Sequence, residues 1–332
     1  MVETLEIAVL IPESTWTQVI SPAAADQLAT LGRVTRVDPS DTESVRRALE
    51  RADVAITGWK SAKLTADLLQ AAPRLRLIAH TAGSVKGPIG AAAWEQGIVV
   101  THAANLIADA VAEMCLCLDL LCLRRVHEMD RGMRDGKTWD ELRHWPGELL
   151  RGKEVGLVGC GYVARKHLAL LKPFGCVVSV FDPYLPDHAA AELGVRKKDL
   201  DSIFRESKLV SNHAPITPET KGLIGAGQLA LLQPGSIFIN TARAYTVDYA
   251  ALLAELRTGR FYAALDVFEK EPLPADSPIL QLSNVIVTPH AAGHSVDSHF
   301  AQGQAMVDEI ARFRDGQPLQ FQVTKEQLAI MA

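Results

Sequence analysis

Glu154-Val155-Gly156-Leu157-Val158-Gly159-Cys160-Gly161-Tyr162-Val163-Ala164 is a short apolar run that passes straight into G-x-G-x-x-A and then into a helical pattern. Its β-forming residues predict a strand, and the small residues follow at the spacing that a strand-to-helix turn around a pyrophosphate demands. Gly159 permits the tight turn, Gly161 lets phosphate oxygens approach the backbone, and Ala164 is small enough for the helix to pack on the strand. The helix then turns its unbonded N–H groups and the positive end of its dipole toward the phosphates. A glycine-rich turn can also end a strand for structural reasons alone, so its surroundings decide. The next apolar run ends at Phe181-Asp182-Pro183-Tyr184, and Asp182 falls about 20 residues past the turn, where a carboxylate binds the adenosine ribose hydroxyls. Asp182 favours NAD, because a 2′-phosphate would meet negative charge there, with no arginine in the Pro183-Tyr184-Leu185 that follows.

Outward from this turn, short apolar runs alternate with amphipathic ones along the chain. Runs 6–11, 33–37, 54–57, 77–80 and 98–101 predict one set of strands, and 154–158, 177–181, 209–211, 237–240, 262–266 and 285–288 predict a second. Six strands in the second set make a full dinucleotide fold. Residues 103–123 predict a long buried helix; Asp109, Glu113 and Asp119 inside it argue against a membrane span. A tail helix over 300–314 carries Met306, Ile310 and Phe313 on one face and is expected to pack back on the first domain. The expected architecture is therefore α/β with two doubly wound parallel sheets. Residues 1–103 and 297–332 form one domain, and 104–296 form the domain inserted in it.

Composition narrows the function classes. With 332 residues, 48% of them apolar, the chain has material for about two well-packed domains. A formal net charge of −5 leaves no basic excess to draw it onto nucleic acid or an anionic membrane. The opening residues MVETLEIAVLIPES have no basic leader and read as a first strand. Five cysteines, Cys115, Cys117, Cys122, Cys160 and Cys176, sit in apolar runs without metal-ligand spacing, so the expectation is buried thiols in the reducing cytoplasm and no metal.

The distinctive polar residues of the second half follow predicted strands: Asn212-His213-Ala214-Pro215, Asn240-Thr241-Ala242-Arg243, Asp266 with Glu271, and Pro289-His290. In an open parallel sheet the carboxyl ends of the strands line the ligand crevice, which brings Arg243, Glu271 and His290 near one another. Their chemistry is complementary. A guanidinium grips a carboxylate, a histidine exchanges a proton near neutrality, and a carboxylate beside it stabilises its charged form. Singly, each has an ordinary reading as a helix-start charge, a loop carboxylate or a satisfied imidazole; jointly they read as a site. His213 is expected to line the cofactor cleft, His127, His167, His188 and His299 to be solvated on helical faces, and His80, His102, His144 and His294 are left open.

GLVGCGYVA, FDPY, SNHAPITPETKGLIG, INTAR with VDYAAL, ALDVFEKEP and TPHAAG together resemble the D-isomer-specific 2-hydroxyacid dehydrogenases, the group of phosphoglycerate dehydrogenase and glyoxylate/hydroxypyruvate reductase. The resemblance runs from about residue 50 to 320 and is most specific between 152 and 293. It implies a Rossmann NAD-binding domain inserted in a flavodoxin-like substrate domain, a homodimer, and a small 2-hydroxy or 2-oxo acid as substrate. By that resemblance Arg243 binds the substrate carboxylate, and Glu271 pairs with His290, the acid/base. The implied cofactor set is Gly159, Gly161, Tyr162, Val163, Asp182, His213, Pro215, Thr241, Ala242, Arg243, Asp266 and His290. The implied substrate set is Ala82, Gly83, Arg243 and His290. Ala244-Tyr245 stands where relatives have a Gly-Gly pair, Thr81-Ala82-Gly83-Ser84-Val85-Lys86-Gly87 departs from a loop ending Gly-x-Asp-Asn, and Ile107 replaces a familiar asparagine. The chain is also expected to lack the C-terminal extension of some phosphoglycerate dehydrogenases. A dinucleotide-sensing corepressor on the same scaffold is the rival reading, and NADH oxidation with 2-oxo acids separates the two.

Overall fold

The computed structural model describes residues 4–143 and 146–331; His144 lies outside the described residues. Among them, twelve strands form two sheets in which every neighbouring pair is parallel. The first holds β1 (Leu5–Val9), β2 (Gly32–Arg36), β3 (Val54–Thr57), β4 (Leu77–His80) and β5 (Val99–His102) in the order β2-β1-β3-β4-β5. The second holds β6 (Glu154–Val158), β7 (Val177–Phe181), β8 (Arg196–Lys197), β9 (Leu209–Asn212), β10 (Ile237–Asn240), β11 (Tyr262–Leu265) and β12 (Val285–Val287) in the order β12-β11-β10-β9-β6-β7-β8. Both orders reverse direction beside a first strand, β1 in one and β6 in the other. That reversal opens a crevice at the strand ends.

Contacts divide the chain into one unit of Met1–Ile107 with His294–Ala332 and another of Ala108–Gly293. Parallel strands need long crossovers, and the crossing helices cover both faces of each sheet, so residues of both parities are apolar. In the first unit, Ile7, Ile56 and Leu77 pack toward Leu28, Met306 and Ile310, while Leu10, Ala55 and Ile78 pack toward Val45, Leu49 and Leu68. The tail helix Val296–Arg314 thus belongs to the first core, as its apolar face predicts. Its buried Glu309 accepts from the backbone N–H groups of Gln320 and Phe321 and holds the chain that follows.

In the second unit, Leu157, Val180 and Ile239 face Leu118, Ala164 and Leu171, and Val210, Phe238 and Leu265 face Phe204, Leu252 and Phe261. Burying each such large side chain is worth about 1.5–3 kcal/mol. The seventh strand of this sheet was not expected. β8 is only Arg196–Lys197, both exposed on the sheet edge, and so carries no apolar alternation for sequence to display. No helix among the described residues is long and apolar enough to cross a membrane.

Candidate active site

The second unit gathers its polar residues at the carboxyl ends of β6, β9, β10, β11 and β12. β6 is followed by Gly159, whose φ of +94° is a conformation open to glycine and strained for other residues. A Cβ there would lie 2.9 Å from the backbone of His213, so the turn and the loop after β9 touch through this glycine. Gly161 caps the helix Tyr162–Leu171, and a Cβ built on it would meet open space. A phosphate can reach the backbone there and meet the helix N-terminus. Asp182, at the end of β7, accepts from the Cys160 N–H at 2.7 Å and the Tyr184 N–H at 2.8 Å. Its carboxylate thereby fixes the turn after β6. Ala164 is buried against the strand, Val163 is half-buried, and Tyr162 is 50% exposed. These features fit a dinucleotide.

Beyond the turn, the buried Asn212 side chain donates to Asn240 Oδ1 at 3.1 Å and to Thr246 Oγ1 at 2.8 Å, tying the ends of β9 and β10. Asn240 Oδ1 also accepts from the Ala242 N–H at 3.2 Å, and Thr246 donates to the Arg243 carbonyl at 2.9 Å. This lattice holds the Thr241-Ala242-Arg243 corner. Pro215 is half-buried and its carbonyl accepts from Thr220. Arg243 gives one of its guanidinium N–H groups to the Ala242 carbonyl at 2.7 Å. Burial pulls the Arg243 guanidinium below its ordinary value, and the charge of Glu271 opposes that pull.

His290 is held in a left-handed conformation, φ +52°, which for a non-glycine residue costs about 1–3 kcal/mol and is sustained only by its surroundings. Asp266 supplies them. Its buried carboxylate accepts from Thr288 Oγ1 at 2.5 Å and from the N–H groups of Ala291 and Ala292 at 2.8 and 2.9 Å, while its carbonyl accepts from the His290 N–H. The His290 ring puts Nδ1 2.7 Å from Glu271 Oε2, and Glu271 Oε1 accepts from the Phe268 N–H at 2.9 Å. Burial works to raise the Glu271 carboxyl, but the His290 and Phe268 hydrogen bonds with the charges of His290 and Arg243 outweigh it, and it lies below the ordinary glutamate range. With Nδ1 occupied, Nε2 is the nitrogen left to exchange a proton. Tyr249, which the sequence did not mark, donates its phenol to the Val267 carbonyl and pins the loop that carries Glu271. The signals available were the VDYAAL segment that contains it and its place behind the helix-capping Asp248.

Ala82 and Gly83 lie in the first unit, just after β4. Ala82 is buried, and its carbonyl accepts from the Ala103 N–H; the Gly83 carbonyl lies 2.9 Å from His102 Nδ1. His80 is buried against Thr57, and burial with the neighbouring His102 drops it to about 3. Lys86 donates to the Met331 carbonyl at 2.6 Å. Tyr245 is partly exposed on a short turn of helix after Arg243.

Two histidines expected in solvent are buried. His167 sits with Ala164 and Leu171 on the buried face of its helix, and His299 with Gln302, Met306 and Ile310 on the buried face of the tail helix. Their i, i+3, i+7 spacing was the available signal, overridden by their polarity. His127 is half-buried, and His188 and His294 are exposed. The buried His167 lies beside Cys115 and the half-buried His213. Burial pushes the Cys115 thiol up to about 12 and, with His167 nearby, holds His213 well below its ordinary range.

Residues 116–292 match the family of D-isomer-specific 2-hydroxyacid dehydrogenase NAD-binding domains. The chain is 35% identical over 266 residues to a D-3-phosphoglycerate dehydrogenase of Archaeoglobus fulgidus, a match covering 80% of this chain and 50% of that protein. It is 32% identical over 287 residues to a glyoxylate reductase of Aeropyrum pernix, covering 85% of each. It superposes on the crystal structure of a phosphoglycerate oxidoreductase from Rhizobium etli with a TM-score of 0.81 at 26% identity, covering 96% of this chain and 98% of that one. The matches to the phosphoglycerate dehydrogenases span about half the length of those proteins.

Proposed function

This chain belongs to the D-isomer-specific 2-hydroxyacid dehydrogenase family, and we propose that it moves a hydride between NAD(H) and C2 of a short, polar D-2-hydroxy or 2-oxo acid. The observation that carries this reading is the 2.7 Å bond from Glu271 to His290 in the same unit as Arg243 and the phosphate turn. The bound nicotinamide supplies the hydride in reduction and accepts it in oxidation. Arg243 grips the substrate carboxylate and fixes which face of C2 is presented. In reduction, His290 as imidazolium gives the Nε2 proton to the carbonyl oxygen; in oxidation the neutral ring takes it from the hydroxyl. Glu271 keeps Nδ1 protonated throughout, which fixes the tautomer and leaves Nε2 to react. Gly159, Gly161 and the N-terminus of the helix Tyr162–Leu171 hold the pyrophosphate, with Tyr162 and Val163 against it. Asp182 holds the ribose diol, Thr241, Ala242 and Asp266 border the nicotinamide end, and His213 and Pro215 line the cofactor cleft.

Substrate size is read from Tyr245, a bulky residue two positions after Arg243 where relatives keep glycine, which disfavours a long apolar side chain. The Lys86 ammonium is already bonded to Met331, which weighs against its recruiting a phosphorylated acid. NADH and NADPH oxidation with glyoxylate, hydroxypyruvate, phosphohydroxypyruvate and 2-oxoisocaproate tests the whole reading. NADH should exceed NADPH in kcat/KM by roughly 5- to 150-fold, the equivalent of about 1–3 kcal/mol of polar contact at Asp182. Glyoxylate or hydroxypyruvate should lead the panel. A lead for 2-oxoisocaproate overturns the substrate class, and failure to oxidise NADH with any acid overturns the enzyme.

A further inference from the structure

Cys115, His167 and His213 meet inside the second unit although no spacing in the sequence links them. Cys115 comes from the helix Ala104–Arg124, His167 from the helix Tyr162–Leu171, and His213 from the residue after β9. The thiol sulfur and one nitrogen of each ring all lie within 4.8 Å of one another. The two rings stand edge to face with centroids 5.7 Å apart. Asp119, one turn after Cys115 on the same helix face, takes His167 Nε2 at 2.8 Å, and both side chains are fully buried. That bond leaves His167 Nδ1 as the second ring donor. Among the described residues, His167 Nδ1 and His213 Nε2 are buried without a hydrogen-bond partner. Two buried imidazole nitrogens without a partner, on rings clustered with a thiol, are costly unless something binds them.

We propose that Cys115, His167 and His213 bind a zinc-class divalent cation, with Asp119 orienting His167. Imidazole nitrogen and thiolate sulfur are the donors that zinc favours, and a carboxylate on the far nitrogen of a ligating histidine is the usual means of fixing its tautomer and ring plane. Three protein donors leave a fourth tetrahedral position for water. Bonds of about 2.0–2.1 Å to nitrogen and about 2.3 Å to sulfur bring tetrahedral donors to roughly 3.3–3.6 Å apart, so the separations between the three donors shorten by at most about 1.5 Å. As the metal–sulfur bond forms, Cys115 loses its thiol proton to solvent; both histidines bind as neutral rings, so no other proton moves. The cation ties two helices to the end of β9 behind the phosphate turn. Cys115 Sγ also lies 3.2 Å from Thr241 Oγ1, which joins the site to the corner that carries Arg243.

The test uses the untagged full chain, stripped with a chelator and passed through gel filtration after addition of Zn²⁺ or Co²⁺. One equivalent of zinc should be retained, and the cobalt form should show tetrahedral d–d bands with a thiolate-to-metal charge-transfer band in the near ultraviolet. Cys115→Ala should abolish the charge-transfer band, His167→Gln should weaken retention at least tenfold, and Asp119→Asn should weaken it about 10–100-fold. The spectrum of the unaltered protein decides the matter even if a variant fails to fold. No retained zinc, a cobalt form without the thiolate band, or retention of Cu⁺ in place of zinc overturns the proposal. So does equal retention by folded Cys115→Ala and His167→Gln.

Discussion

His290 Nδ1 lies 2.7 Å from Glu271 Oε2 and His167 Nε2 lies 2.8 Å from Asp119 Oδ2, but the first pair is 47% and 36% exposed and the second is wholly buried. The bond is the same and the surroundings are opposite. At the strand ends, partial burial is outweighed by hydrogen bonds from His290 and Phe268 and by the charges of His290 and Arg243, which keep Glu271 ionised below the ordinary glutamate range. Beneath the turn, burial raises the Asp119 carboxyl against the opposing pull of His167, and both side chains are enclosed by their neighbours. In the proposed mechanism a histidine–carboxylate pair serves as acid/base where the ring is exposed. It becomes a positioning device where both nitrogens are enclosed.

The largest difference between the pairs should be in turnover. His290→Gln should lower kcat for 2-oxo acid reduction by about 10²–10⁴, the usual worth of a placed general acid. A loss under tenfold in steady-state assays would mean that the proton comes from another group. Stability should rank the pairs the other way. Asp119→Ala leaves His167 Nε2 buried without its partner and should cost about 1–3 kcal/mol in urea unfolding. Glu271→Gln, in a half-exposed pair, should change the urea midpoint far less. Equal midpoints for the two variants would erase the distinction.

The smallest effect is one of pH. The depressed Glu271 carboxyl stays charged as pH falls through the ordinary glutamate range and loses its contribution only below it. Glu271→Gln removes the anion that favours imidazolium, so the pH at which reduction falls off should move down, and the rising limb of oxidation should move with it. Unmoved profiles in that variant would separate Glu271 from the proton transfer.

The phosphate turn was legible because its chemistry is local: Gly159, Gly161 and Ala164 work through backbone shape and size at fixed spacing, and Asp182 follows one crossover later. Arg243, Glu271 and His290 were legible for a related reason. Each follows an apolar run, and parallel topology delivers strand ends to one edge. The apolar face of the tail helix likewise carried its destination in its period. What sequence could not display depends on which helix face turns inward and on what waits there. β8 is held by its neighbour β7 and has no pattern of its own. His167 and His299 obey the buried period, but polarity argues for solvent until a partner such as Asp119 is in place. Cys115, His167 and His213 come from two helices and a strand end, and their meeting depends on how those elements cross. Local spacing fixes turns and strand ends because backbone geometry acts over a few residues. The juxtaposition of side chains from separate elements is decided only by packing, which sums weak contacts over the whole core.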